Sequence, residues 1–316
     1  MKSDFKPAWW LPSPHLQTIW PRYFRKRPKL NFRHEEFDLE DGDFVDLCWS
    51  KREDGLPVLI LHGLEGSINS PYSFGLFAAL ESRDLRPIFM HFRGCSGRHN
   101  RLDRAYHSGD TADIAAVVKH IQSKTQSERI AAVGFSLGAN ALLKWLGETQ
   151  ADNPLTRGVA VSVPFQLDDA VNRLDQGMSK LYREYLLGKL RKKTSDKFLT
   201  RPSPIKEDVY QMKSFWDYDG HVTAPLHGFN SASDYYKKSS SRQFLKDIKV
   251  PTLIIHALDD PFMYESSVPN QSELSENVEF LLSKHGGHVG FISGILPWKV
   301  NYWHEEKICD FLQRTN

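Results

Sequence analysis

The stretch R-I-A-A-V-G-F-S-L-G-A-N-A-L-L-K-W-L-G, residues 129–147, decides how this chain is built. An apolar run, Ile130 to Val133, leads into Gly134-Phe135-Ser136-Leu137-Gly138. A helix-forming run, Ala139 to Leu146, leads out, and Gly147 is a natural stop. The pattern is strand, sharp turn, helix, with a serine on the turn. So tight a turn strains the serine backbone, and side chains at the two flanking positions would strike the strand or the helix, so both are glycine. The serine oxygen then stands exposed at the end of a sheet, and the first amides of the new helix point at whatever it attacks. A plain turn with a capping serine would use the same residues. The flanking strand and helix are the context that favours a nucleophile.

Working outward, Pro57–His62 and Pro87–Phe92 read as short strands buried on both faces. Residues 71–83 and Asp110–Lys124 read as helices between the strands, with Asp110 as the cap of the second. Gly158–Val163, Val250–Ala257 and Val278–Ser283 read as further buried strands, and 300–312 as a closing helix. Arg33–Glu40 and Asp43–Ser50 alternate about Asp41-Gly42 in the manner of a hairpin. Alternating strands and helices predict an α/β fold: a mostly parallel central sheet flanked by helices.

Between Val163 and Val250 the alternation breaks for far longer than the dozen or so residues a crossover needs. Asp168 to Lys193 is charged and helical in pattern, its end Lys189–Lys193 a solvated face. The division expected is a core over 1–165, with an N-terminal arm over 1–30, a helical lid over 166–248, and the rest of the core over 249–316. The arm mixes Trp9, Trp10, Trp20, Tyr23 and Phe24 with basic residues. Prolines interrupt it, so an arm packed on the domain is the simpler reading, with peripheral membrane contact left open.

The 316 residues are 40% apolar and 25% charged, with mean hydropathy −0.47. Forty-one basic and 39 acidic residues give a formal charge of +2, which makes no electrostatic case for nucleic acid. Cys48, Cys95 and Cys309 fit neither a disulfide framework nor a C-x-x-C metal pattern, which favours a reducing, cytoplasmic setting. No secretory signal and no transmembrane run is expected. Oligomeric state is not legible.

A serine hydroxyl needs a histidine to take its proton and a carboxylate to orient that histidine. Enzymes that carry the serine on such a turn place the acid next in the chain and the histidine last. Ile254-Ile255-His256-Ala257-Leu258-Asp259-Asp260-Pro261 is a buried strand opening into an acidic turn. Asp260, directly before the proline, is preferred as the acid, with Asp259 as the alternative. Lys284-His285-Gly286-Gly287-His288-Val289-Gly290 follows the last strand. His288, with glycines on both sides, suits a loop that reaches back over the serine; His285 is the rival. A metal held by His285 and His288 lacks further ligands at a recognisable spacing. The oxyanion donors expected are the backbone amides of Leu137, after the serine, and Leu64, in the His62-Gly63-Leu64 loop. Arg93–Gly97 and Tyr106–Asp110 read as structural turns near the rim. Cys95 sits on a poorer turn for a nucleophile than Ser136.

With these residues named, the chain resembles the YheT-like branch of the α/β hydrolases. The likeness rests on F-K-P-A-W-W-L-P-S-P-H-L-Q-T-I at 5–19, H-G-L-E-G at 62–66, R-G-C-S-G at 93–97, Y-H-S-G at 106–109 and G-F-S-L-G-A-N at 134–140. T-A-P-L-H-G-F at 223–229, A-L-D-D-P-F at 257–262 and G-G-H-V-G-F at 286–291 extend it over nearly the whole chain. The resemblance implies a Ser136–Asp260–His288 triad and carboxylic-ester chemistry on a small molecule, with no cofactor or metal, and it does not transfer a substrate. The aromatic residues of the lid suggest an apolar acyl group, short to medium in chain or lipid-like. Transfer of the acyl group to an alcohol is the alternative, and a ligand-binding protein on the same fold is a third reading.

Overall fold

The computed structural model describes residues 3–314. Eight strands form one sheet: β1 (Phe32–Asp38), β2 (Phe44–Ser50), β3 (Leu56–Leu61), β4 (Leu85–His91), β5 (Ala131–Phe135), β6 (Arg157–Val161), β7 (Thr252–Ala257) and β8 (Val278–Ser283). Their spatial order is β1-β2-β4-β3-β5-β6-β7-β8. β2 pairs antiparallel with both neighbours, and every pairing from β4 to β8 is parallel. The helices are α1 (Pro14–Phe24), α2 (Ser73–Glu81), α3 (Ala112–Thr125), α4 (Leu137–Thr149), α5 (Leu167–Leu174), α6 (Ser179–Lys197), α7 (Phe215–Tyr218), α8 (Ala224–Leu226), α9 (Ala232–Ser239) and α10 (Trp303–Leu312).

The middle strands are apolar throughout because both faces are covered. Leu59 and Leu61 join Ile114, Val117 and Leu142 of α3 and α4 in one core cluster. Val58 and Ile60, alternating with them, join Leu76, Phe77 and Ile308 of α2 and α10 in the other. β3 hands the chain to β4 on one side, whereas β5 hands it to β6 on the other. The loops after β3 and β5 therefore part, and such a gap is where open α/β sheets bind ligands.

Between β6 and β7 the chain leaves the sheet for α5 to α9. Leu174, Leu187, Met212, Phe215 and Val222 bury a cluster of their own there, and Leu64 and Phe262 from the sheet's loops pack against it. Asn140 of α4 joins the two parts. Its amide nitrogen donates to Ser108 O and Ser239 O, each at 2.8 Å, and its oxygen accepts from Ser241 N at 2.9 Å.

Several details depart from the sequence reading. The helical pattern over 168–193 is two helices, because the chain turns at Gly177, which takes φ +51°. Lys193 is not on a solvated face: it is largely covered, pairs with Glu65 after β3, and donates to Cys95 Sγ at 3.4 Å. Asp110 does not cap α3; its carboxylate takes Arg104 Nη2 at 2.7 Å, and the cap residue, Thr111, makes no side-chain bond to the helix's own amides, its hydroxyl donating to Glu148 instead. The closing helix begins at Trp303, since β9 (Ile292–Leu296) and β10 (Lys299–Tyr302) form a small hairpin before it. Despite its prolines, the arm forms α1, with Pro14 in the first turn, where a missing N–H costs little, and Pro21 inside.

Candidate active site

Ser136 stands between β5 and α4 at φ 51°, ψ −117°, a backbone conformation that side chains rarely adopt. Its N–H is tied to Val161 O at 2.9 Å, and its carbonyl accepts from Asn140 N at 3.0 Å. A Cβ on Gly134 would lie 2.5 Å from Gly138 O, and one on Gly138 would lie 2.6 Å from the carbonyl oxygens of Leu61 and His62. A larger residue at 134 would push the first turn of α4 away from β5, and one at 138 would push the turn off β3. A Cβ on Gly63 would lie 3.1 Å from Ser136 Cβ, so the loop after β3 runs against the serine itself.

His288 Nε2 lies 3.0 Å from Ser136 Oγ, and its Nδ1 lies 2.8 Å from Asp260 Oδ2. Asp260 is buried, and its second oxygen accepts from Phe262 N at 2.8 Å. The Phe262 ring lies flat on the imidazole, centroids 4.0 Å apart. The two rivals pair with each other: His285 Nδ1 lies 3.3 Å from Asp259 Oδ2, and Asp259 Oδ1 accepts from Gly287 N at 2.9 Å. Burial raises the Asp259 carboxyl above its ordinary range. A histidine placed as His288 is can take the serine proton, and a carboxylate on its far nitrogen stabilises the resulting imidazolium.

Thr18 and Ser162 hold the histidine loop, and the sequence reading missed both. His288 N donates to Thr18 Oγ1 and Val289 N to Ser162 Oγ, each at 2.9 Å. Gly287 takes φ +59°, and a Cβ there would lie 2.4 Å from Pro14 O. Buried Gln17 donates to Leu11 O and Ile292 O and accepts from Ile292 N. The H-L-Q-T-I stretch of α1 is thus the seat of this loop. It was the available signal for Thr18; Ser162 carried none.

Leu64 and Leu137 line the same cavity as Ser136, and among the described residues neither backbone N–H donates a hydrogen bond. The loop bearing Leu64 is pinned on both sides: Gly63 N donates to Tyr72 OH at 3.0 Å and Glu65 N to Tyr106 OH at 2.8 Å. Tyr72 stacks on Phe135 at 4.1 Å. Fully buried His62 accepts from Phe92 N at Nε2, so its proton sits on Nδ1, which donates to Gly63 O at 2.6 Å. Burial pushes the His62 imidazole down to about 3, so it stays neutral. Tyr106, His107 and Ser108 reach the cavity wall. Arg93 does not; it is buried in ion pairs with Asp113, Asp41 and Asp43. Burial lifts the Cys95 thiol to about 11, which leaves it un-ionised and a poor nucleophile. No group of three or more His, Cys, Asp or Glu among the described residues is placed to hold a metal ion.

Two spaces meet at Ser136. On one side lies a mainly apolar cavity of about 140 Å³, lined by Leu64, Leu167, Leu174, Leu186, Phe215 and Val222 among others. On the other lies an open groove of about 610 Å³ that His288 also lines.

The profile of the α/β hydrolase fold family matches residues 57–295. YheT of Escherichia coli (strain K12), whose name gives it esterase activity only provisionally, is 40% identical over 98% of this chain and 93% of its own length. Phospholipase ABHD3 of Mus musculus is 27% identical over 94% of this chain and 75% of its own. Among solved structures, the Pyrococcus furiosus esterase Pf2001 superposes with a TM-score of 0.61 at 20% identity, over 90% of this chain and 91% of that one. That likeness speaks for the fold alone.

Proposed function

This chain belongs to the α/β hydrolase fold family, in its YheT-like branch, and we propose that it works there as a serine esterase. Ser136 Oγ attacks the ester carbonyl while His288 takes its proton, with Asp260 holding His288. The amides of Leu64 and Leu137 receive the oxyanion. The acyl-enzyme then forms as His288 returns the proton to the departing alcohol, and water, admitted by the groove, resolves it. The observation that carries this reading is the hydrogen-bonded line Asp260–His288–Ser136, at 2.8 and 3.0 Å, ending on a serine with a strained backbone.

The segment 166–248 is the lid in this reading, and the cavity beneath it takes the acyl chain. One water-sized group needs about 10–15 Å³ by the same measure. The cavity's volume of about 140 Å³ therefore suits a medium-length chain. The relatives named Phospholipase ABHD3 and Monoacylglycerol lipase ABHD2 agree with a lipid-like acyl group. No helix among the described residues is long and apolar enough to cross a membrane. Exposed Trp9, Ile295 and Trp298 support peripheral contact with lipid instead, Trp9 Nε1 donating to Ile295 O at 3.0 Å. Vesicle binding unchanged in Trp298→Ala would remove that contact.

A fluorophosphonate is expected to label wild type and not Ser136→Ala. Nitrophenyl esters of graded chain length should show an optimum at medium length, lost in Ser136→Ala. Labelling that persists in the variant overturns the assignment. Added alcohol competing with water for the acyl group would mark a transferase.

A further inference from the structure

A histidine that takes the serine proton becomes a planar cation, and a buried cation needs partners on every side that water does not reach. In the plane of the His288 ring both nitrogens are engaged, Nε2 with Ser136 Oγ and Nδ1 with Asp260 Oδ2. The side chain is only 10% exposed, so little water reaches the faces of the ring. One face is covered by the Phe262 ring, with centroids 4.0 Å apart and an angle of 4° between the planes. An aromatic face carries negative potential and attracts a cation laid on it, whereas an aliphatic side chain of similar bulk only excludes water.

Phe262 is held where it is from three directions. Its N–H donates to Asp260 Oδ1 at 2.8 Å, so the ring is tied to the acid that orients the histidine. The residue before it is clamped by the start of α6, where Ser179 Oγ donates to Pro261 O at 2.6 Å. Tyr182, one turn along α6, lies with its ring 4.9 Å from that of Phe262, and its hydroxyl lies 3.0 Å from His15 Nδ1 in α1. Phe262 also packs against the apolar cluster of the 166–248 segment.

We infer that Phe262 is a positioning residue for the reaction, its ring face stabilising the His288 imidazolium that forms as Ser136 attacks. The inference rests on the serine esterase reading. As the bond from Ser136 Oγ to the acyl carbon forms, the Oγ proton passes to His288 Nε2. Phe262 takes part in neither bond and acts on the charge alone. The titratable groups around His288 are Asp260 and Asp259 of the acid turn, His256 at the end of β7, His285 in its own loop and Tyr182 of α6. Arg22 of α1 and Lys189 of α6 share its groove. A substitution at 262 alters none of these, so a change in the pH–rate profile reports on the ring face.

The test is Phe262→Leu, which keeps an apolar side chain over the histidine and removes the aromatic face. Nitrophenyl acetate and nitrophenyl octanoate are compared from about pH 5 to about pH 8.5. kcat falls about tenfold for both esters, and KM for the acetate is unchanged, because the ring acts on the histidine rather than on the acyl chain. The acid limb of kcat/KM moves about one unit to lower pH, since a tenfold weaker hold on the imidazolium is one unit of proton affinity. Phe262→Tyr keeps the face, so its kcat stays within about threefold of wild type and its limb stays in place. Complete labelling of Ser136 by a fluorophosphonate shows that each variant's site is assembled; Phe262→Met, also without a ring, repeats the test should the leucine variant fail to label. An acid limb that does not move, a loss confined to the octanoate, or a tyrosine variant as slow as the leucine one overturns the role of Phe262 and leaves the esterase reading in place. Wild type that neither labels nor cleaves removes the esterase reading, and this inference with it.

Discussion

At the scale of single residues, the sequence named its candidates through order and neighbours. Serine, acid and histidine follow one another at strand ends, which any reader of the chain can see. Its weak point was the pair Asp259-Asp260, where composition is identical and only the turn geometry differs. Pro261 places Asp260 with its carboxylate over Phe262 N and facing His288, and turns Asp259 toward the exposed His285. In the proposed mechanism Asp260→Asn therefore lowers kcat by about 10³–10⁴-fold, because the amide holds the wrong imidazole tautomer. His285→Ala stays within about twofold of wild type, since its ring lies outside that line of bonds. Steady-state kinetics on one nitrophenyl ester compare the two, and equal losses would undo the distinction. Thr18 was harder to read. A threonine 118 positions before the serine lies in the marked H-L-Q-T-I stretch, but its role shows only when the fold brings its hydroxyl to His288 N at 2.9 Å. Thr18→Val leaves that half-buried N–H unpaired, and kcat falls about five- to tenfold. Thr18→Ser keeps the hydroxyl and the rate; a valine variant with unchanged kcat would reduce Thr18 to packing.

At the scale of elements, legibility followed periodicity. The buried strands and α3 and α4 showed in the sequence because each is long enough for its apolar pattern to repeat. The β9–β10 hairpin did not, because β10 is four residues long, too short to display a period. The break between α5 and α6 was hidden for the opposite reason: leucines and tyrosines continue at helical spacing on either side of Gly177. The least legible feature was what α6 touches. Lysines near a helix end read as solvated, yet Lys193 reaches across to Glu65, one residue beyond the amide proposed to receive the oxyanion. The side chains are only 16% and 7% exposed, so the pair is mostly shielded from water. Replacing Glu65 by Gln leaves the lysine charge buried without its partner, at a cost of about 3 kcal/mol. The melting temperature is expected to fall by roughly 5 °C. Because Leu64 is displaced with the loop, kcat should drop more than KM rises. A variant that melts like wild type and keeps its kcat would mean that α6 and the loop are independent.

At the scale of the whole molecule, the switch in strand order and the burial of histidine have one consequence each. The switch opens the gap between the β3 and β5 loops, into which elements far apart in sequence deliver their groups. No local pattern announces that convergence, so the H-L-Q-T-I stretch marked α1 in the sequence without saying which loop it seats. The buried histidines govern stability against acid. Burial pushes His62 and His304 down to about 3, and His91 and His256 to about 4. An unfolded histidine titrates near 6.5, so between about pH 6.5 and 4 the unfolded chain binds protons that the folded one refuses. Depressed histidine values therefore make stability fall as pH falls. Burial depresses His107, His15, His99 and His227 as well. Raised carboxyls oppose this: burial lifts Asp110 and Asp219 to about 6, and raises Asp259 and Glu305, so the folded chain takes up protons there that the unfolded one does not. The depressed histidines outnumber the raised carboxyls, so near pH 5 the unfolded chain binds the excess of protons, and each excess proton lowers stability by about 1.4 kcal/mol per pH unit. Thermal melts from pH 7.5 to 4.5 should be nearly flat above pH 7 and then fall steeply below about 6.5. A melting temperature that holds level, or rises, down to pH 5 would show that these histidines are protonated inside the fold.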